Sequence, residues 1–158
     1  MTATTFRQDF SDFCAQRDAQ NTIQLNVTKW TFMLCDALRQ NYIDYSIKSH
    51  SNSIFHLKGT SDSAVKYHLA CIQDLKNGHC GGVDFIFESG NKYHKVIYID
   101  SSGSRSVHCF IDKKTGEVYK SASWKSPAKG VRFDLRIIEQ REWLFQHADW
   151  AGGYLYKR

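Results

Sequence analysis

Seven cations, Lys113, Lys114, Lys120, Lys125, Lys129, Arg132 and Arg136, fall within residues 113–136 against two carboxylates, Glu117 and Asp134. The same stretch carries the only proline, Pro127, two glycines at turn positions, Gly116 and Gly130, and Trp124 next to Lys125. Cations grouped around a rigid turn beside an aromatic ring suit one kind of chemistry: lysines hold phosphates in a salt-sensitive way, and a tryptophan adds about 1–3 kcal/mol for each base that stacks on it. If residues 117–124 form a strand, Val118, Lys120, Ala122 and Trp124 share a face. Lys120 and Trp124 are therefore expected on the same side. The expected ligand contacts are Arg105, Lys120, Lys125, Lys129 and Arg132 on phosphate and Trp124 on a base. Turn amides over 126–130 suit a small anion nest, but neither GxxxxGK[ST] nor GxGxxG occurs. The bland alternative is that the lysines only solubilise the surface or protect a sheet edge, with Trp124 in the core.

Residues 92–136 hold ten basic side chains against four acidic ones, a balance of +6, while the rest of the chain has eleven against twelve. The overall charge of +5 is thus regional, and a charge concentrated in one region speaks to partners more than a mild total does.

Other reactive side chains assemble less well. His68, Cys71, His79 and Cys80 are close in sequence and of zinc-ligand type, but their spacing matches no common finger or ribbon, so no metal is expected. Cys109 beside His108 would need both side chains on one face, which adjacent strand residues do not share. His94 and Ser106 could meet across neighbouring strands, a coincidence that any sheet of this length offers. No carboxylate pair or triad stands out. A non-enzymatic binding protein without cofactor is the expectation.

These residues need elements to position them. The 158 residues, 42% hydrophobic and 14% aromatic, suit a single domain spanning 1–158. Five scattered cysteines behind an N-terminus without an apolar leader segment point to a reducing cytosol, and no run is apolar enough for a membrane span. Phe6, Phe10, Phe13 and Cys14 form a helical stripe over 5–16; Trp30, Met33, Leu34, Ala37 and Leu38 form another, capped by Thr28 and ending at Asn41. Alternation of Ile43, Tyr45 and Ile47 with polar residues, then the polar run 50–53, reads as a hairpin through Lys58. A further helix starts at Ser61 or Asp62 and stops at Asn77-Gly78. Strands are expected over 83–88, 93–100, 105–112 and 117–124, with a short one over 131–135, a helix over 136–147 and a docked aromatic tail. In the third strand Val107, Cys109 and Ile111 oppose Ser106, His108 and Phe110. The expected fold is α+β: an antiparallel meander with about three N-terminal and central helices and one C-terminal helix packed on it.

The run VHCFIDKKTGEVYKSASWKSPAKGVRFDL, residues 107–135, resembles a motif of small proteins encoded by tailed bacteriophages, notably phages of aquatic bacteria: Val-His-x-Phe, an Asp-Lys-Lys-Thr-Gly turn, Tyr-Lys, then Ala-Ser-Trp-Lys-x-Pro-Ala-Lys. The resemblance covers about residues 105–135 and implies a viral origin, with no activity and no catalytic residues. Small phage proteins of the host cytoplasm commonly bind nucleic acid, sequester or block components of host defence, or join the virion. The leading reading is a phage protein binding nucleic acid through this basic aromatic surface. Capture of a nucleotide messenger of host defence is the nearest alternative; a virion component or an inhibitor of a host protein is the other. The free edge of a meander can also pair with a second copy, which favours a homo-oligomer.

Overall fold

A computed structural model describes residues 2–57 and 59–156, with side chains from residue 10 onward. The first element, α1, runs unbroken over Thr2–Leu57. No glycine or proline occurs before Gly59, so nothing in the backbone chemistry interrupts the helix. The two expected N-terminal helices are thus one, and the expected hairpin over 42–58 is helix. The apolar residues there satisfy both periods: Ile43, Ile47, Ile54 and Leu57 follow helical spacing and are half-buried, while Tyr45 and Phe55 face solvent. A polar run without glycine does not make a turn when a partner helix covers its neighbours. That partner is α2, Asp62–Lys76, whose start is fixed by Ser61 Oγ accepting from the Ala64 N–H at 3.3 Å and whose end is followed by Gly78 in the left-handed region at φ 85°. Within α2, Leu75 is buried while Leu69 is exposed.

Five antiparallel strands follow in chain order: β1 Asp84–Ser89, β2 Tyr93–Ile99, β3 Arg105–Asp112, β4 Glu117–Lys120 and β5 Phe133–Asp134. Then come α3, Ile138–His147, and a short 3-10 turn, Gly153–Leu155. The α+β class and the meander match the expectation. The middle of α1 lies on one face of the sheet, and the core gathers Val27, Leu34 and Leu38 of the helix with Phe85, Val96, Cys109, Ile111 and Val118 of the strands, closed by Leu135, Leu144 and Leu155. The aromatic tail does dock: Leu155 is buried, and Trp150 and Tyr154 pack on the core. The expected stripe of Phe6, Phe10, Phe13 and Cys14 does not join it. Phe10, Phe13 and Cys14 are exposed; the Phe6 side chain lies outside the described residues.

Two irregularities shape the sheet. Between β2 and β3 the register shifts, with Val96 opposite Cys109 and Ile97 opposite Val107. His108 is the extra residue. A bulge re-aims its side chain, so His108 meets Phe85 and Tyr154 of the inner layer instead of opposing Cys109 as simple alternation required. At the edge, the Phe85 N–H donates to Asp84 Oδ1 at 2.8 Å and the Phe85 carbonyl accepts from Arg39 Nη2 at 2.8 Å, while Arg39 Nε holds Asp84 Oδ1 at 2.7 Å. The free edge of the meander is closed at Phe85 by side chains of its own chain, a protection that edge strands need.

Candidate ligand-binding face

β4 stops at Lys120, not at Trp124. Ser121 still bridges to Pro127, but Pro127 has no N–H for a ladder, and the Ser123 hydroxyl accepts from the Lys125 and Ser126 amides at 3.3 and 3.2 Å, bending residues 122–126 into a tight tip. This overturns the expected pairing of Lys120 with Trp124. Lys120 is the cross-strand partner of Cys109, which belongs to the helix-facing core. Trp124 instead lies over Lys95, the partner of Phe110, on the opposite face.

On that outer face Lys95 Nζ stands 4.5 Å from the centroid of the Trp124 ring and 5.9 Å from that of Phe110, and the Arg105 guanidinium lies 5.9 Å from Trp124. Trp124 remains 42% exposed. Next to it, between the β1–β2 turn and the tip, is a cavity of about 300 Å³ with Lys92, Lys95 and Lys125 on its walls, Tyr93 and Phe110 as its aromatic side and the turn residues Ser89, Gly90 and Asn91 at its rim. Lys92 Nζ covers the Tyr93 ring at 5.3 Å, and Lys113 Nζ donates to the Gly90 carbonyl at 3.0 Å, bringing a fourth ammonium near the rim. Glu88 is the only carboxylate lining the cavity, and Arg105 Nη2 holds it at 2.6 Å. The three lysines therefore keep an uncompensated positive charge against an aromatic wall.

The structure divides the six expected residues. Arg105, Trp124 and Lys125 come together on the outer face. Lys129 is exposed in the bend between Pro127 and β5 and lines neither this cavity nor the one beside Lys120. Arg132 is a strut: Nε donates to the Leu155 carbonyl at 2.6 Å, and Nη1 to those of Lys129 and Gly130 at 3.1 and 2.7 Å. Lys120 lies across the sheet. Sequence reasoning missed Lys92, Lys95, Tyr93 and Phe110. The signal was present: Tyr93 and Lys95 alternate onto one face of β2, and the antiparallel register sets Phe110 against Lys95.

The reactive pairs are dispersed. His94 faces Ile111 in the register while Ser106 faces Tyr98, so the two stand at opposite ends of the strand pair. His94 is buried between Ser89 Oγ at 2.7 Å and Thr28 Oγ1 at 3.3 Å; burial, with Lys113 adding to it, pushes its pKa down to about 4. Burial does the same to His108, to about 4, against the opposite pull of Asp149, and its Nε2 is 2.7 Å from the Tyr154 hydroxyl. The Cys109 thiol, fully enclosed, is pushed well above its usual value by desolvation, and Cys35 to about 12. Neither thiol is ionised at neutral pH, which removes the thiolate–imidazolium pair that nucleophilic chemistry needs. His50 and His68 meet Nδ1 to Nδ1 at 2.8 Å across the α1–α2 hairpin, yet among the described residues no three metal-ligating side chains converge on one point. No described helix is long and apolar enough to cross a membrane.

No curated protein and no solved structure matches the chain. A family model covers residues 10–157, almost the whole chain, including the sheet, the tip with Trp124 and the tail. The chain belongs to DUF7717, a family of unknown function.

Proposed function

We propose that this protein binds a phosphate-bearing ligand, nucleic acid first, on the outer face of its sheet, and that it does so without catalysis. The observation that carries the reading is Trp124, half-exposed and within cation–π reach of Arg105 and of Lys95, the latter also a wall of the cavity that Lys92 and Lys125 line. In this reading the lysines contact backbone phosphates, Arg105 steadies Trp124, and the exposed part of the indole stacks a base; Tyr93 and Phe110 give the adjoining nucleotide an apolar wall. Such a site is tolerant of sequence and favours unpaired strands, because every base has a face to stack while a duplex hides it. Phage origin, which rests on the motif at 107–135, fits a protein acting on nucleic acid in the host cell.

The test is fluorescence anisotropy with a labelled single-stranded oligonucleotide at two salt concentrations. About three phosphate contacts on single-stranded DNA give a slope of log K against log salt near −2. Lys95→Glu with Lys125→Glu is expected to weaken binding and flatten that slope, and Trp124→Ala to cost about 1–3 kcal/mol with the slope unchanged. Unchanged affinity in the folded double variant would sink the assignment. Stoichiometric capture of a mononucleotide with little salt dependence would instead favour sequestration of a nucleotide messenger, which a cavity of about 300 Å³ has room for.

A further inference from the structure

A second cavity, of about 320 Å³, opens on the other side of the sheet, between β3, β4 and the C-terminal segment 150–156. Its walls are ring-lined, with Tyr98, His108, Trp150 and Tyr156. The tail forming one wall is fixed in place: the Trp150 N–H donates to Asn41 Oδ1 at 3.0 Å, the Gly152 N–H to Asp149 Oδ1 at 2.8 Å, and Arg132 Nε to the Leu155 carbonyl at 2.6 Å. Gly152 takes φ 83°, a left-handed conformation that favours glycine, and the tail there passes over the His108 imidazole. A wall tied to the body at two points, Asn41 and Arg132, and braced by its own turn at Asp149 does not collapse onto the sheet, and the space beneath it persists.

Among the described residues, Lys120 is the only lysine or arginine lining that space. Its ammonium lies 4.7 Å from the Tyr156 ring centroid and 3.4 Å from the Ser121 carbonyl, and no carboxylate of a described residue pairs with it. Ser121 spends its hydroxyl on the Val107 carbonyl at 3.1 Å. The Ser106 and Tyr98 hydroxyls and His108 Nδ1 bond no described residue, and none of them is sealed from solvent. One ammonium with one unspent serine hydroxyl balances a single negative charge. A phosphate dianion would need more donors than these, and among the described residues the wall has no arginine to supply them. The aromatic sides call for a flat, apolar body.

We propose that this cavity is a binding site for a small planar aromatic carboxylate, the ring held among Tyr98, Trp150 and Tyr156 and the carboxylate on Lys120 and Ser106. The site is independent of the outer face: Lys120 points to the helix side, Lys95 and Trp124 to the other.

The test is isothermal titration of the full chain, at low salt, with indole-3-acetate and with its uncharged analogue indole-3-acetamide. The acid is expected to bind saturably with a Kd below about 1 mM and the amide at least about tenfold more weakly. Lys120→Met should bring the acid down to the amide's level, Lys120→Arg should keep it, and Lys95→Glu should leave it unchanged. Should Lys120→Met fail to fold, Tyr156→Ala, at an exposed position near the chain end, removes one aromatic wall and is expected to cost about tenfold. The proposal is overturned if the acid shows no saturable binding below about 10 mM, if acid and amide bind alike, or if the folded Lys120→Met or Tyr156→Ala protein binds as the wild type does.

Discussion

Mild acid should destabilise this protein through two histidines. His94 and His108 are both held neutral by burial, with pKa values pushed down to about 4, against about 6.5 in an unfolded chain. Between those values the unfolded state binds more protons than the folded one, so stability is complete above about pH 6.5 and falls as the pH drops toward 4. The linkage is worth about 2 kcal/mol for each histidine between pH 7.5 and 5, about 4 kcal/mol together, a large part of the roughly 5–15 kcal/mol typical of a domain. Asp134 does not blur this window: burial works against its ionisation, but the Arg136 hydrogen bonds outweigh that and hold its pKa below the usual value, so its contribution survives until the pH falls below about 4. Urea unfolding at a slope near 2 kcal/mol per molar should therefore show the midpoint moving down by about 2 M between pH 7.5 and 5. His94→Gln and His108→Gln, which cannot titrate, should each remove about half of that movement, whatever they cost at pH 7.5. A midpoint unmoved between the two pH values, or a double variant that keeps the wild-type pH response, would refute the reasoning.

Three further outcomes follow from the packing. Gly116→Ala should lose about 1–3 kcal/mol in urea unfolding, because φ there is 75° and a Cβ would sit 3.4 Å from both Leu135 and Val27. Arg39→Met should lose about 1–2 kcal/mol in net hydrogen bonding, discounted for its partial exposure, and by opening the backbone of Phe85 should raise self-association measured by light scattering. Deleting residues 1–22 should leave the thermal midpoint of the remainder nearly unchanged, since residues 10–22 have no buried side chain; a fall of more than about 5 °C would show that the arm contributes to the core.

The meander was legible because each of its turns announces itself chemically. Asp112 is the clearest instance: its Oδ1 accepts from the Lys114 and Thr115 amides at 2.9 and 3.1 Å, and Gly116 follows in the left-handed region, a local arrangement that needs nothing from the rest of the chain. The helix α1 was not legible as one element because amphipathic periodicity alone divides it. The stripes at Phe10 and at Leu34 are separated by the polar residues Arg17, Gln20 and Asn21, and Ile43, Tyr45 and Ile47 alternate as a strand would. What decided the outcome was the absence of any helix-breaking residue before Gly59, together with the cover that α2 provides. The site was half legible. Arg105 and Trp124 meet on the outer face because the tip beyond β4 folds Trp124 over the strand residues Lys95 and Arg105, and Lys125 follows it. Lys120 and Arg132 go elsewhere because the strand ends four residues early and the docked tail claims a guanidinium, two tertiary events that charge counting does not see.

The length of α1 has a consequence for how this molecule behaves in solution. At 1.5 Å per residue a helix of 56 residues extends about 84 Å, whereas a compact chain of 158 residues has a radius of gyration near 15 Å, a sphere of about 40 Å across. A body with so long a spar diffuses more slowly than its mass warrants. On a sizing column a single copy would elute early, in the position of a larger globular particle, and its sedimentation coefficient would be low for the same mass. Those two readings disagree in opposite directions for a rod-bearing monomer and agree for a compact dimer, so measured together they give the copy number without knowledge of the shape.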